Sequence, residues 1–395
     1  MEFGFWKGLK KPFFAIAPMA DVTDIAFREI IAKYGAPDVF WTEFVSCDGL
    51  CSRGKEKLLI DLKFTKKQKP IVAQFFGATP KHFYECALLA GELGFDGIDI
   101  NMGCPDRAVE KQGASAALMK NPKLAQEIIK ETKRGAESAG RRIPVSVKTR
   151  LGYNKDMMED WLPYIFEMEP AVITVHGRTR KEMSKVPAHW DRIADAVSLR
   201  DGYFSDAKEK LLIIGNGDVS SVEDGIEKAK GSGVDGIMVG RGIFGNPFFF
   251  ADLSRSAGWR RGKQIEHPAL ISPESNFIFK DKKKNNKKKA TQSRNSAERS
   301  ECVANEIECE ISAGLRQQMI EKRLSVMVEH TRLFEKYFGN SNIDRSTSLK
   351  NFDNMKKHFK AYVSGFDNAK ELRMKLMNTK SADEVESVLK KYNYL

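Results

Sequence analysis

Short β-branched runs alternate with longer segments of helical apolar spacing through the first 250 residues of this 395-residue chain. Eight of these runs are predicted as strands: Phe14–Pro18, Asp38–Phe44, Ile71–Phe76, Gly97–Asn101, Pro144–Lys148, Val172–His176, Leu211–Gly215 and Gly236–Gly240. Segments such as Pro122–Gly135 and Ser221–Lys230 carry the helical spacing between them. Eight βα units in roughly 250 residues predict an α/β fold, a closed (β/α)8 TIM barrel, with a doubly wound open sheet as the alternative.

The chain divides into three predicted regions. Residues 1–259 form the barrel, residues 260–313 a Lys-rich linker or insertion that we predict to be disordered, and residues 314–395 a small helical bundle. The bundle is predicted from four stretches of helical spacing: about Gly314 to Gly339, Leu349–Tyr362, Ala369–Met377 and Ala382–Tyr392.

The net charge of +12 is concentrated in the last third of the chain. Residues 1–259 hold 37 Lys and Arg against 35 Asp and Glu, whereas residues 314–395 hold 16 against 10. A basic appendage beside a near-neutral domain indicates a polyanionic partner.

Two basic stretches each allow two interpretations. The run from Lys280 to Lys289 holds seven Lys and one Asp, and both a solvated loop and a nonspecific nucleic-acid contact fit it. In the bundle, basic residues alternate with aromatic ones: Lys356, Lys357, Lys360, Lys370, Arg373 and Lys375 with Phe352, Phe359 and Tyr362. That stretch is either a phosphate-binding surface or a solvent face whose aromatic residues belong to the core.

Composition excludes several classes of protein. No run of 18 apolar residues is present, so we expect no membrane span, and the amino-terminal segment does not resemble a secretory leader. The six cysteines do not form the pattern of a disulfide scaffold or of a zinc site, and no nucleoside-triphosphate loop motif occurs. We therefore expect a cytoplasmic protein that binds no metal ion. We also expect it to be a monomer.

Glycine-rich loops follow the last two predicted strands. The seventh strand leads into Gly215–Asp218, which includes Asn216 and Gly217, and the eighth leads into Gly240-Arg241-Gly242. Barrels often bind phosphate at these two positions, where glycine lets backbone N–H groups approach the anion. Tight turns that simply require glycine are the alternative.

Other polar residues lie where barrel strands end, at the rim that carries barrel active sites. Cys104 follows the fourth strand, Lys148 ends the fifth and His176 ends the sixth, while Gln74 lies on the third. The cysteine could act as an acid or a nucleophile, or be a small core residue. A lysine and a histidine at this rim could bind an electron-rich ring or a carbonyl group, or they could form a structural contact. With the two glycine loops, this mouth fits flavin mononucleotide (FMN).

At these residues the sequence resembles the tRNA-dihydrouridine synthases. The matching stretches run in order over nearly the whole barrel: APMADVTD (17–24), TEFVS (42–46), QFFG (74–77), INMGCPDRAVEKQGASAALM (100–119), VKTRLG (147–152), VHGRTR (175–180), IGNGDV (214–219) and GRGIFGNP (240–247). Members of that family depend on FMN and use NADPH or NADH to reduce selected uridines in the D-loop of tRNA.

The resemblance implies a role for individual residues. Residues implied to hold the flavin are Pro18, Met19, Ala20, Gln74, Lys148, His176, Asn216, Gly217, Asp218, Gly240 and Arg241. Cys104 is implied to be the proton donor, with Asn101 nearby. We expect contacts with the tRNA substrate from Asn101, Arg178, Lys356, Lys357, Lys360 and Arg373.

The sequence departs from the family pattern in three places. Asp21 stands where members usually have Gly, KEMSKVPAHW (181–190) replaces a Gly-containing segment, and the linker is longer than usual. Two other functions are alternatives. A flavin barrel acting on a small molecule would not need the basic bundle, and a tRNA-binding protein without catalysis would not need Cys104, Lys148 and His176.

Overall fold

A computed structural model of the chain describes residues 1–254, 296–339 and 349–395. It has eight parallel strands: β1 (Phe13–Ile16), β2 (Phe40–Ser46), β3 (Ile71–Phe76), β4 (Gly97–Asn101), β5 (Val145–Arg150), β6 (Val172–His176), β7 (Leu212–Asn216) and β8 (Gly236–Val239). All eight predicted strands are confirmed. The run Lys280–Lys289 and the predicted boundary at residue 259 lie outside the described residues.

The strands close into a barrel. Their order is β1-β8-β7-β6-β5-β4-β3-β2, and a parallel bridge between Ala15 and Val39 joins the two ends. Across that seam, the Ile16 N–H donates to the Val39 carbonyl at 3.1 Å. This closure confirms the (β/α)8 barrel and excludes the open sheet, because every strand then has two neighbours.

Helices lie between consecutive strands over most of the barrel. They are α1 (Ile25–Tyr34), α2 (Cys47–Leu50), α3 (Lys55–Leu58), α4 (Pro80–Leu93), α5 (Arg107–Glu110), α6 (Pro122–Ser138), α7 (Met158–Phe166), α8 (Trp190–Tyr203) and α9 (Val222–Ser232). Asp24, Asn121 and Ser221 cap α1, α6 and α9 by accepting backbone N–H groups of the first turn. Helices α4 and α6 pack closely because Gly135 has no side chain; a Cβ there would lie 2.4 Å from the Tyr84 carbonyl oxygen.

The carboxyl-terminal region is helical, as predicted. Its helices are α10 (Ser296–Phe338), α11 (Met355–Tyr362), α12 (Ala369–Leu376) and α13 (Ala382–Lys391). Two predicted boundaries were wrong. Helix α10 begins at Ser296 rather than near Gly314, because the Glu- and Ala-rich sequence 296–313 favours helix despite its polarity. The helix predicted from Leu349 begins at Met355, after a 3-10 turn at Phe352–Asn354 that Asn351 caps.

Aromatic residues of this helical domain belong to its core. Phe352, Phe359 and Tyr362 have no exposed surface, which confirms the core alternative for them. Their cluster extends into the barrel, because it also contains Ile25 and Ile30 of α1. The ring of Phe27, which is also on α1, lies 5.5 Å from the ring of His330 and 5.3 Å from the ring of His358. The barrel and the helical domain are therefore joined by a shared apolar cluster.

No helix in the three described ranges is long and apolar enough to cross a membrane. Across the same residues, no group of three or more His, Cys, Asp or Glu is arranged to hold a metal ion.

Candidate active site

Polar side chains meet at the carboxyl ends of the strands. The strand register pairs Asn101 with Lys148 and His176 with Asn216. The Lys148 Nζ donates to Asn216 Oδ1 at 3.2 Å, and the Asn216 amide in turn donates to the Met238 carbonyl at 2.8 Å. These two hydrogen bonds join β5, β7 and β8, and Asn101 on β4 and His176 on β6 lie beside them at the mouth of the barrel.

A buried carboxylate organises the neighbouring strands. Asp99 accepts from the Gln74 amide at 2.6 Å and from Ser146 Oγ at 2.5 Å, and it has no exposed surface. The Gln74 carbonyl accepts from the Asn101 amide at 2.9 Å. Burial raises the pKa of Asp99, and the bonds from Gln74 and Ser146 oppose that rise. Gln74 and Asn101 are consequently held in fixed orientations.

Asn101 also shapes the loop that carries Cys104. Its Oδ1 accepts the N–H groups of Gly103 and Cys104, both at 3.0 Å, and the Ser115 hydroxyl at 2.7 Å. The Cys104 N–H contacts Ser115 Oγ as well, at 2.8 Å. Arg150 holds the loop from the other side, donating from Nε to the Gly103 carbonyl at 2.6 Å. The position of the cysteine is therefore fixed by its backbone.

The Cys104 thiol is only partly exposed at this rim. Burial raises its pKa above the usual 9.0, and the nearby Arg150 and Lys148 partly offset the rise. The thiol is therefore protonated at neutral pH, which is the form required of a proton donor.

The two glycine-rich loops are joined by arginine. Asp218 accepts from Arg241 Nη2 at 2.7 Å, from the Ala188 N–H at 2.9 Å, and from Arg178 Nη2. These contacts lower the pKa of Asp218 against the opposing effect of its burial. Gly217 is required, because its φ is +134° and a Cβ there would lie 2.6 Å from the Ala188 Cβ.

The loop after β1 lies beside the loop after β8. A Cβ built on Gly240 would lie 3.6 Å from the Ala17 Cβ and 3.7 Å from the Met19 Sδ. The Met19 N–H donates to Thr23 Oγ1 at 2.9 Å, which closes a turn that contains Ala20 and directly follows Pro18. The predicted flavin-lining residues thus border the predicted phosphate loops.

The mouth of the barrel is strongly cationic. Burial lowers the pKa of Lys148 to about 8 and that of Arg150 to about 10. Burial, together with Arg150, Lys148, Arg178 and Arg241, lowers the pKa of His176 well below 6.5, so its ring is neutral. Neither Lys148 nor Arg150 forms an ion pair with a carboxylate of the described part of the chain. This arrangement fits an anionic ligand beside the glycine-rich loops.

The residues predicted to contact tRNA are placed in different settings. Arg178 is buried and bonded to Asp218, and it lies 3.2 Å from His176 Nε2. In the helical domain, Lys356 pairs with Asp353 at 2.8 Å, while Lys360 is exposed. Lys357 pairs with Asp21 and Arg373 donates to the Val363 carbonyl. In the helical domain Lys357 and Lys360 are exposed while Lys356 and Arg373 are half-buried, whereas Arg178 belongs to the barrel mouth.

Comparison with known proteins identifies the family. Residues 15–319 match the family described as Dihydrouridine synthase (Dus). A probable tRNA-dihydrouridine synthase of Staphylococcus aureus (strain COL) is 36% identical over 394 residues, covering 99% of this chain and 96% of that protein. The chain belongs to the dihydrouridine synthase family. The resemblance seen in the sequence is confirmed.

A second relative is the probable tRNA-dihydrouridine synthase 2 of Bacillus subtilis (strain 168), 35% identical over 391 residues, with 98% of this chain and 96% of that protein covered. Among solved structures, histamine dehydrogenase from Rhizobium sp. 4-9 is 12% identical, covers 61% of this chain and 45% of that chain, and superposes with a TM-score of 0.42. A similarity this low carries no functional argument.

Several residues that build this candidate site were not singled out by their sequence. Ser115 contacts the loop that carries Cys104 directly, and Asp99 acts on it through Gln74 and Asn101. Arg150, at the end of β5, and Arg180, after β6, brace the same loop. A charged residue within a buried strand was the available signal for Asp99. The others carry no local signal, because each acts through a partner that is distant in the sequence.

Proposed function

We propose that this protein is an FMN-dependent, NAD(P)H-driven tRNA-dihydrouridine synthase that reduces the C5–C6 double bond of specific uridines in the tRNA D-loop. Family membership supports the uridine chemistry. The observation that carries the residue assignment is the convergence of a protonated thiol, Cys104, and an unneutralised cation, Lys148, on one barrel mouth. The proposed location is the cytoplasm, and the proposed state is a monomer.

The residues at the mouth fit a flavin mononucleotide. Gln74, Lys148 and His176 would contact its ring, and the loop containing Pro18, Met19 and Ala20 would line it. Asn216, Gly217, Asp218, Gly240 and Arg241 would hold its phosphate, since glycine leaves the backbone N–H groups accessible and Arg241 supplies charge. Asp218 would take part through its backbone, because its carboxylate is anionic and bonds to Arg241. When bound and reduced, the flavin supplies the hydride that uracil C6 receives.

Cys104 would supply the proton that completes the reduction. Negative charge that develops toward uracil C5 and O4 is quenched when the Cys104 thiol transfers its proton to C5. The backbone bonds from Asn101 and Ser115 keep the thiol at one position, so that it can meet the substrate without a loop rearrangement. Lys148 and Arg150 favour the resulting thiolate through their positive charge.

The substrate uridine must leave its stacked position to reach this mouth. The exposed cations of the helical domain, Lys360 among them, are suited to hold the body of the tRNA while the base enters. A free pyrimidine would gain nothing from that surface, which argues against a small-molecule substrate.

The test combines three measurements: flavin content, turnover of tRNA against free uridine, and mapping of dihydrouridine in cellular tRNA. Purified protein is expected to be yellow and to release flavin on denaturation, and with NADPH or NADH it should form dihydrouridine in unmodified tRNA but not turn over free uridine. Mapping dihydrouridine in tRNA from cells with and without the gene then gives the position. A colourless protein that FMN cannot reconstitute overturns the cofactor, and turnover of free uridine without tRNA overturns the substrate.

A further inference from the structure

Two lysines of the helical domain contact the barrel in different environments, Lys350 at β2 and Lys357 at the loop after β1. Lys350 Nζ lies 2.7 Å from both Glu43 Oε2 and Asp61 Oδ1, with 11% of its side chain exposed. Lys357 Nζ lies 2.8 Å from Asp21 Oδ2, with 49% of the lysine side chain and 47% of the aspartate side chain exposed. The first contact is buried and the second is open to solvent.

The buried contact also fixes the backbone of the loop. Glu43 Oε1 accepts the Asp21 N–H at 2.5 Å, while its other oxygen contacts Lys350. Removal of Lys350 would leave a buried carboxylate without its cation, so this contact is costly to break. The path of the loop therefore does not depend on Lys357.

Asp21 holds its exposed contact from an unfavourable backbone conformation. Its φ is +54°, in the left-handed region that glycine adopts freely and aspartate adopts only at a cost. In the described ranges its carboxylate has one ion-pair partner, Lys357. The backbone geometry would suit glycine, and what the aspartate adds is a negative charge beside that lysine.

The position of this pair matters for a polyanionic substrate. Asp21 lies on the active rim of the barrel, in the turn that follows Met19, and Lys357 faces it from α11. A uridine entering the mouth brings its neighbouring phosphates to this rim. Because an exposed ion pair contributes little free energy, a phosphate can replace the carboxylate at Lys357 without large cost.

We propose that Asp21 holds Lys357 in place of an RNA phosphate until tRNA binds, and that Lys357 then exchanges the Asp21 carboxylate for the phosphate while Glu43 keeps the loop fixed. The inference rests on the proposed function, since it needs an RNA substrate. Asp21 is accordingly a residue that limits the affinity for tRNA without touching the reacting atoms.

A double-mutant cycle tests the exchange. Asp21→Asn removes the charge and keeps a residue that tolerates the left-handed conformation, and Lys357→Gln removes the cation. The dissociation constant of an unmodified tRNA transcript is measured with the full, flavin-loaded chain at one salt concentration. We expect Asp21→Asn to tighten binding about two- to fivefold. Lys357→Gln should weaken binding, and Asp21→Asn should have no effect in the Lys357→Gln background.

Glu209→Gln is the matched control, because Glu209 pairs with Lys7 at similar exposure (56% and 57%) near the amino-terminal ends of the strands. It should leave tRNA affinity unchanged. The proposal is overturned if Asp21→Asn alone has no effect, or if its tightening persists without Lys357, which would indicate general repulsion by the aspartate. If the unmodified enzyme neither binds nor reduces tRNA, the proposed function fails as well; flavin content and thermal unfolding report whether each variant is folded.

Discussion

Arg180 donates to both carboxylate oxygens of Glu110, from Nε at 2.6 Å and from Nη2, and so joins the loop after β6 to the short helix that follows Cys104. The side chain of Glu110 is 8% exposed and that of Arg180 is 24% exposed. A bidentate pair of this kind fixes both distance and orientation. The loop that carries Cys104 is thereby held at both ends. Asn101 bonds to it before α5, and Arg180 bonds to Glu110 at the end of α5.

Arg180→Lys is expected to lose one of the two bonds and the planar fit to the carboxylate. We expect a loss of about 1.5–3 kcal/mol in the free energy of unfolding, the range for hydrogen bonds to charged groups. Dihydrouridine formation should fall more than the rate of flavin reduction by NADPH, because the braced loop carries Cys104. Thermal unfolding and steady-state turnover measure the two effects.

Arg134→Lys is the comparison for that variant, since Arg134 pairs with Glu131 on the surface of α6 at 60% exposure and should cost less than about 1 kcal/mol. Arg180→Glu alone should destabilise the fold. Adding Glu110→Arg to it should restore part of the free energy of unfolding that Arg180→Glu loses. Equal losses from Arg180→Lys and Arg134→Lys would contradict the bracing role.

Cys104→Ala is expected to lower dihydrouridine formation about 10²- to 10⁴-fold, the usual contribution of a positioned general acid. Bound flavin should be retained, because no predicted flavin contact involves this thiol. Since the raised pKa keeps the thiol protonated, turnover of the unmodified enzyme at saturating FMN should stay level through neutral pH and decline only as pH rises above about 9. Cys51→Ala, which removes an exposed thiol, should change neither quantity; full turnover by Cys104→Ala would refute the assignment.

The lowered pKa of Lys148 predicts how the affinity for FMN depends on pH. Its pKa is lowered to about 8 without ligand, so the cation is present below that pH and is lost as pH rises through it. An anionic ligand stabilises the protonated form, and its affinity should therefore weaken above pH 8. Flavin fluorescence titrations between pH 7 and 9.5 test this, since the phosphate is already fully ionised there. Lys148→Met should bind weakly with little pH dependence; a pH dependence equal to that of the unmodified protein would refute the assignment.

Gly217→Ala separates steric crowding from backbone strain. A Cβ at Gly217 would meet Ala188 at 2.6 Å and His176 at 3.3 Å, so the substitution should destabilise the fold and weaken FMN binding. Gly140→Ala is the control, because Gly140 also has a positive φ, +69°, but no atom within 4 Å of its Cβ position. The control should show only the strain of about 1–2 kcal/mol. Thermal unfolding and FMN titration of both variants give the comparison, and equal effects would exclude crowding as the cause.

The sequence predicted the barrel well because its signals are local. Strands such as Ile71–Phe76 and Gly97–Asn101 have the predicted bounds, since an apolar run and its flanking turns lie within a few residues of one another. The same locality placed Cys104 just after β4 and His176 at the end of β6, and parallel strands bring those ends together. The prediction that Lys148 ends the fifth strand was wrong, because β5 continues for two more residues to Arg150. Helix α10 was predicted too short because its first turns rest on helix propensity rather than on an apolar stripe.

Local sequence patterns were enough to predict the α/β fold class, the rim that carries the proposed site and the family. They could not predict which charged groups meet: Lys357 with Asp21, Lys350 with Glu43, and Arg180 with Glu110. These partners are far apart in the chain, and no periodicity links them. Their pairing follows from how closure of the barrel and docking of the helical domain bring distant loops to one rim, and that depends on the packing of the whole molecule.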